Sequence, residues 1–318
     1  MTTITTRPYK EEADLETIAY LINICDTIDK DEGVSVTELK TDINTPSVDR
    51  VRDLKLWEDA DGKLIGFGFL WLTEPSETID GFMSFYVHPS ARGGDLETKI
   101  IQWSQERMHE VSQERSFPVR LLLGVRDYQN EHVAIVESNG FTRDRYFFTM
   151  ERSLAEPIPQ PQFPGGFTLR QMNGEQDAPA WVELHNQSFI DHWNYHPLTV
   201  ENLKYWLNEP TYRPELDLIA TAADGTFAAF CHCYVDPDYN ARTGLNEGWV
   251  RILGTQRGFR RMGLGRAILL CGLHCLKAAD METARLGVDA DNPNGALRLY
   301  ESIGFRKKNT RIMYVKSI

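Results

Sequence analysis

Three things are scarce in this chain of 318 residues, and each scarcity removes a class of function. No apolar run approaches the roughly 20 residues that a membrane-crossing helix needs, so a membrane partner is not expected. Cysteine is rare and odd in number, five residues in no framework spacing, which points to reduced thiols and a cytoplasmic home. Positive charge is short as well: 34 Lys and Arg stand against 46 Asp and Glu, a net charge of −12. A chain this acidic is poorly suited to nucleic acid or anionic lipid as a main partner. The opening MTTITTRPYK has no charged-then-apolar leader pattern, so export is not expected. What remains, 42% apolar and 25% charged residues, describes an ordinary globular protein whose length suits two domains.

The basic residues that are present gather in one place. Trp249 to Arg266 reads WVRILGTQRGFRRMGLGR, with five arginines and no acid between 251 and 266. Trp249 to Thr255 is apolar and β-branched enough for a strand, and Gly263-Leu264-Gly265-Arg266 opens the apolar run AILLCGLHCL, which suits a helix. Between them, Arg260 to Gly265 forms an Arg-x-x-Gly-x-Gly turn. Glycines admit an oxyanion close to the backbone, and the first N–H groups of a helix have no partner inside it. On an acidic chain such an island fits a small polyanionic ligand. Neither the P-loop nor the dinucleotide glycine pattern is present.

A second block, Leu286 to Phe305, reads LGVDADNPNGALRLYESIGF. Leu286 to Asp289 is expected as a short strand. Asn292 is expected to cap a helix with Pro293 in its first position, and Gly304 to stop it. Ala296, Leu299, Tyr300 and Ile303 would share one face. On these two blocks the chain resembles the GCN5-related N-acetyltransferase (GNAT) superfamily. That family's acetyl-CoA motif is the Arg-x-x-Gly-x-Gly turn after a strand. Its next motif is a strand, an asparagine and a helix ending in Leu-Tyr-Glu-x-x-Gly-Phe.

An internal repeat of about 160 residues organises the whole. Ile4-Thr-Thr-Arg-Pro-Tyr matches Phe167-Thr-Leu-Arg-Gln-Met, and Glu137-Ser-Asn-Gly-Phe141 matches Glu301-Ser-Ile-Gly-Phe305. Between the halves, AEPIPQPQFPGG (155–166) holds four prolines and two glycines and reads as a linker. The expected α/β (α+β) architecture is therefore two tandem GNAT-like domains, 1–154 and 167–318. Each would have a twisted, mostly antiparallel sheet flanked by helices, a tandem type similar to mycothiol synthase. In the first half, Asp95 and Glu97 stand where the second has Gly263 and Gly265, and Val136 stands for Tyr300. Carboxylates there would repel a pyrophosphate, so the first half reads as a degenerate copy.

The resemblance implies roles. The amides of Arg261, Met262, Gly263, Leu264, Gly265 and Arg266 would hold the pyrophosphate of acetyl-CoA, and Arg260 would be a further cofactor-binding residue of the turn. The pantetheine arm would pair with Leu253, Gly254 and Thr255, the Leu253 amide polarising the thioester, and Asn292 would contact the arm. The family's usual spacing puts asparagine three positions before the alanine, whereas Asn292 lies four before Ala296 and Asn294 two. Tyr300 would protonate the leaving thiolate. Glu247 is a candidate general base, or else a solvated strand-end glutamate. Asp191-His192-Trp193 resembles a segment of the tandem relatives, so His192 and Trp193 are candidates for the acceptor pocket.

Cys231 and Cys233 flank His232 on one strand with no second pair, so no metal is expected. The activity implied is transfer of acetyl from acetyl-CoA to a small-molecule amine in a ternary complex, by a monomer or homodimer. Acetylation of a protein terminus or lysine, and a non-catalytic CoA sensor or structural tandem, stay open.

Overall fold

The structure is a computed structural model and describes residues 4–318. Its elements, in chain order, begin with β1 (Thr5–Arg7), α1 (Glu12–Asp29), α2 (Val36–Ile43), β2 (Leu54–Glu58), β3 (Leu64–Leu72), β4 (Ile79–Val87), α3 (Leu96–Arg115), β5 (Val119–Arg126), α4 (Asn130–Ser138) and β6 (Thr142–Ser153). The same succession then recurs with β7 (Phe167–Gln171), α5 (Ala178–Phe189), α6 (Val200–Leu207), β8 (Asp217–Ala222), β9 (Phe227–Tyr234), α7 (Pro237–Thr243), β10 (Glu247–Thr255), α8 (Leu264–Ala278), β11 (Thr283–Asp289), α9 (Ala296–Ser302) and β12 (Arg306–Ser317). Among the described residues no helix is long and apolar enough to cross a membrane.

The chain divides into two units. The first runs to Arg145 and takes up Arg311–Ile318; the second is Tyr146–Thr310. The first unit's sheet has the order β1-β2-β3-β4-β5-β12, and the second's has β6-β11-β10-β9-β8-β7. Among the described residues each contains a single parallel pair, β4 with β5 and β10 with β11, among antiparallel neighbours. Relative to the sequence halves on either side of 155–166, the last strands are exchanged. From Arg311 onward β12 pairs with β5, and β6 from Phe147 onward pairs with β11. A strand's apolar pattern says which face it buries but not which sheet edge takes its N–H and C=O groups.

Each sheet is covered on both faces. In the second unit α8 lays Leu264, Ile268, Leu269 and Leu276 on one face, and α5 and α6 lay Trp181, Leu184 and Leu203 on the other, against Ile219 and Phe230. Burying each such side chain contributes roughly 1.5–3 kcal/mol. Thr199 caps α6 as its sequence suggests, its hydroxyl accepting from the Asn202 amide at 3.1 Å.

The structure corrects the helix start expected at Pro293, and it shows a further helix, α7, within the polar segment 236–246. Asp236 accepts from the Tyr239 amide, Pro237 occupies the first turn, and Gly244 closes it at φ 70°; the polar composition hid ordinary capping signals. Helix α9 begins at Ala296 behind Gly295 (φ 76°), and not at Pro293. Asn292 Oδ1 instead accepts from the Asn294 amide at 2.9 Å and caps a turn ahead of the helix.

Candidate active site

The parallel ladder between β10 and β11 runs for four pairs, from Glu247↔Thr283 to Val250↔Leu286, and then stops. On its other edge β10 pairs with β9 with a bulge: Val250 lies opposite Cys233 and Ile252 opposite His232, leaving Arg251 as the extra residue. A bulge bends its strand and adds twist, so β10 leaves β11 where the bulge begins. Leu253, Gly254 and Thr255 follow on the parted stretch, paired with β9 but not with β11. Gly254 is sterically required there, because a Cβ would lie 2.3 Å from Phe230 Cε1.

The turn follows at once. Arg257–Phe259 makes a short 3-10 turn, Arg261 takes φ 64°, and Gly263 takes φ 90° as the residue before α8. No side chain caps α8, and a Cβ on Gly263 would meet nothing within 4 Å. The amides at the helix start therefore have no capping side chain, and the positive end of the helix dipole lies behind them. Met262 and the side chain of Arg261 are exposed, and Arg266 reaches Ser302 Oγ at 2.9 Å. The uncapped amides, the glycine and the parted strands fit a diphosphate with an extended arm.

Arg260 is placed differently from the sequence expectation of a cofactor-binding residue. Its guanidinium donates to Asp191 Oδ2 (2.8 Å), Asn294 Oδ1 (3.0 Å), the Ser188 carbonyl (2.8 Å) and the Thr255 carbonyl (3.3 Å). It ties the turn to the end of α5 and to the loop before α9. Asp191 also accepts from Arg257. Hydrogen bonds from Arg257 first, and then from Arg260, hold the Asp191 carboxyl below its ordinary range. Of the two asparagines, Asn294 is the one bound to the turn; the Asn292 side chain faces its own loop.

The other candidates separate into those near the parted strands and those away from them. Tyr300 is 7% exposed, packs edge-on to Phe305 at 6.0 Å, and its hydroxyl has no hydrogen-bond partner among the described residues. Burial, with Cys231 nearby, raises it above the ordinary phenol range, so the proton is present at neutral pH. Trp193 lies edge-on to Phe147, whose backbone pairs with Asp289 at the end of β11. His192 Nδ1 is 2.9 Å from the Trp193 carbonyl. Glu247 is not brought to this place. It starts β10, about 20 Å along the strand from Leu253 at ~3.3 Å per residue, buried with Arg285 Nη2 at 2.5 Å from its carboxylate.

The bulge and the Asp191 tie carry no sequence motif of their own. The tie had one available signal, since an acid also ends the first helix of the other half, at Asp29.

A strand that splays from its parallel neighbour, runs into a glycine turn and feeds an uncapped helix defines an acyl-CoA-dependent transferase fold. Comparison with known proteins agrees. The Acetyltransferase (GNAT) family model matches residues 178–305. The mycothiol acetyltransferase of Thermobispora bispora is 31% identical over 256 residues, covering 79% of this chain and 80% of that one. That of Acidothermus cellulolyticus is 30% identical over 271 residues, covering 82% and 79%. Among solved structures, a GCN5-related N-acetyltransferase from Sphaerobacter thermophilus superposes with TM-score 0.77 at 25% identity, covering 99% of this chain and 95% of that one. A tandem GNAT protein from the clavulanic acid pathway gives 0.71 at 13%, covering 100% and 98%, a likeness of fold. The chain belongs to the GNAT family. It is a tandem GNAT acetyltransferase that acts on an amine, and its family uses acetyl-CoA.

Proposed function

We propose that the second unit transfers the acetyl group of acetyl-CoA to the amine of a small molecule, by direct attack in a ternary complex. The carrying observation is the parting of β10 from β11 after Val250, directly ahead of an uncapped helix start at Gly263. In this reading the amides from Arg261 to Arg266 bind the pyrophosphate, and the pantetheine arm lies along Leu253, Gly254 and Thr255. The Leu253 amide polarises the thioester. Tyr300, neutral and without another partner, gives its proton to the departing thiolate. Arg260 acts as a strut that fixes the turn, with Asn294 beside it. His192 and Trp193, in the loop held by Asp191, border the acceptor side, and Asn292 stands at the mouth of the arm's path.

Relatives named mycothiol acetyltransferase support a small-molecule acceptor. The repeat supports one active copy and one that has lost its ligand contacts, and the composition supports a cytoplasmic enzyme. The test is thermal shift and calorimetry with acetyl-CoA, followed by thiol release over a panel of small amines. The expected result is one acetyl-CoA per chain and turnover on at least one amine. Acetyl-CoA bound in the first unit, or binding without turnover on any amine, would sink this reading.

A further inference from the structure

In the second unit the proline-spaced segment 155–166 is seated on the face of the sheet that α8 covers. Ile158 and Phe163 pack against the core cluster that contains Leu218 and the buried side of α8. Two carbonyls of the segment are held: Pro157 accepts from Arg152 Nη2 at 2.8 Å, and Pro159 lies 3.3 Å from His274 Nε2 on α8. Counted from Gly263 and Asp95, His274 corresponds to Glu106 of α3, and Cys271 to Trp103. Leu169 pairs with Ala220 as Thr6 pairs with Trp57, so Leu218 corresponds to Lys55. At that same place the first unit has an open groove. Between α3 and the strands β1 and β2 lies a cavity of about 370 Å³, whose lining includes Thr6, Lys55, Trp103, Glu106 and Val51.

The chemistry of the groove suits a segment of the same kind with one change. Trp103, half-buried and edge-on to Trp57 at 5.7 Å, supplies an indole wall. Val51 stands beside it as an aliphatic side chain 73% exposed. A proline-spaced chain is already extended when free, so it docks on aromatic walls with little loss of entropy. The change is at Lys55, where the second unit has the buried Leu218. The Lys55 ammonium lies 5.9 Å from the Trp57 ring centroid and has no hydrogen bond or ion pair among the described residues. The other cations of the groove are committed, Arg7 to Asp14 and Glu58, Arg52 to Glu110 and Glu114, and Arg107 to Asp53. Of its acids, Glu110 is held by Arg52 and Glu106 is exposed to water. Lys55 is thus the charge left over, and a carboxylate is its complement. We propose that this groove docks an extended, proline-spaced segment of a partner protein, with a carboxylate of that segment on Lys55. None of the groove residues belongs to the acetyl-transfer site proposed above.

The probe is a fluorescein-labelled peptide of the chain's own seated sequence, residues 155–166, carrying Ile158→Glu. It is titrated with the whole protein and followed by fluorescence anisotropy. The expected result is saturable binding of one peptide per chain, about tenfold tighter than the peptide with Ile158 retained. Lys55→Glu in the protein should weaken the probe at least tenfold and abolish its advantage over the unmodified peptide. Val51→Asp, at an exposed position, should weaken both peptides several-fold and covers the case in which Lys55→Glu fails to fold. His274→Ala, in the second unit's seat, should leave affinity within twofold, and thiol release from acetyl-CoA should be unchanged in all three variants. No binding to the parent protein, or parental affinity in Lys55→Glu or Val51→Asp, overturns the assignment. So does a tenfold loss in His274→Ala, which would put the peptide on the second unit. A dimer of the parent, seen by sedimentation and dissolved by Lys55→Glu, would make the occupant a second copy of the chain and overturn it as well.

Discussion

The two glycine-turn regions of the chain share a scaffold and differ in what fills it. In both, a parallel ladder of four pairs ends at matching places, Phe82↔Leu122 and Val250↔Leu286. In both, an arginine after the strand bonds to the strand's last carbonyl and to an acid at the end of the unit's first long helix. Arg92 reaches the Val87 carbonyl at 3.0 Å and takes Asp29 in a two-pronged grip at 2.7 Å, as Arg260 holds Thr255 and Asp191. Gly93 and Arg261 even share a positive φ.

The contrast begins at the next positions. Asp95 replaces Gly263 and turns away to Lys99 at 2.7 Å, while Glu97, at the place of Gly265, is buried. His132, at the position of Ala296, packs its ring 5.9 Å from Phe85 of β4 and is pushed below the ordinary imidazole range by burial. That contact sets a side chain of α4 against β4 past the end of its ladder with β5, and β4 carries no bulge against β3. The arginine tie is thus common to both scaffolds, while the bulge and the pair Gly263 and Gly265 belong to the second unit alone.

This difference can be broken in order of expected effect. Gly263→Glu puts a carboxylate and a strained φ at the helix start and should weaken acetyl-CoA more than 100-fold, about 3 kcal/mol, read by calorimetry. Affinity within tenfold of the parent would place the diphosphate elsewhere. Tyr300→Phe should lower kcat ten- to 100-fold with acetyl-CoA affinity unchanged; equal turnover removes its acid role.

Arg260→Lys, which loses the planar fork, should weaken acetyl-CoA about tenfold. Arg92→Lys should lower Tm by a few degrees and leave affinity alone, so equal affinity losses would erase the distinction. The Asp191 carboxyl, depressed by Arg257 and Arg260, is ionised above the ordinary carboxylate range. Its tie is lost only as pH falls through the depressed value, so affinity should hold at pH 5 and Asp191→Asn should weaken it at every pH. The smallest effect is expected from Asp95→Gly with Glu97→Gly, which should leave one acetyl-CoA per chain because His132 still packs on Phe85 and β4 still lacks the bulge. A stoichiometry of two would show that the carboxylates alone had kept acetyl-CoA out of the first unit.

Much of this was legible in residue order. The strand from Trp249, the helix from Leu264, the Thr199 cap and the Gly304 stop follow from local stereochemistry, which depends on near neighbours. Gly263, Gly265 and Tyr300 stand out against Asp95, Glu97 and Val136 because the repeat supplies its own comparison. Other features were decided only by packing. The sheet edge taken by β6 and β12, the Arg251 bulge and the Arg260–Asp191 tie join residues many positions apart. Backbone hydrogen-bonding groups and charges are alike along the chain, so which of them meet is settled when the sheets and helices close on one another.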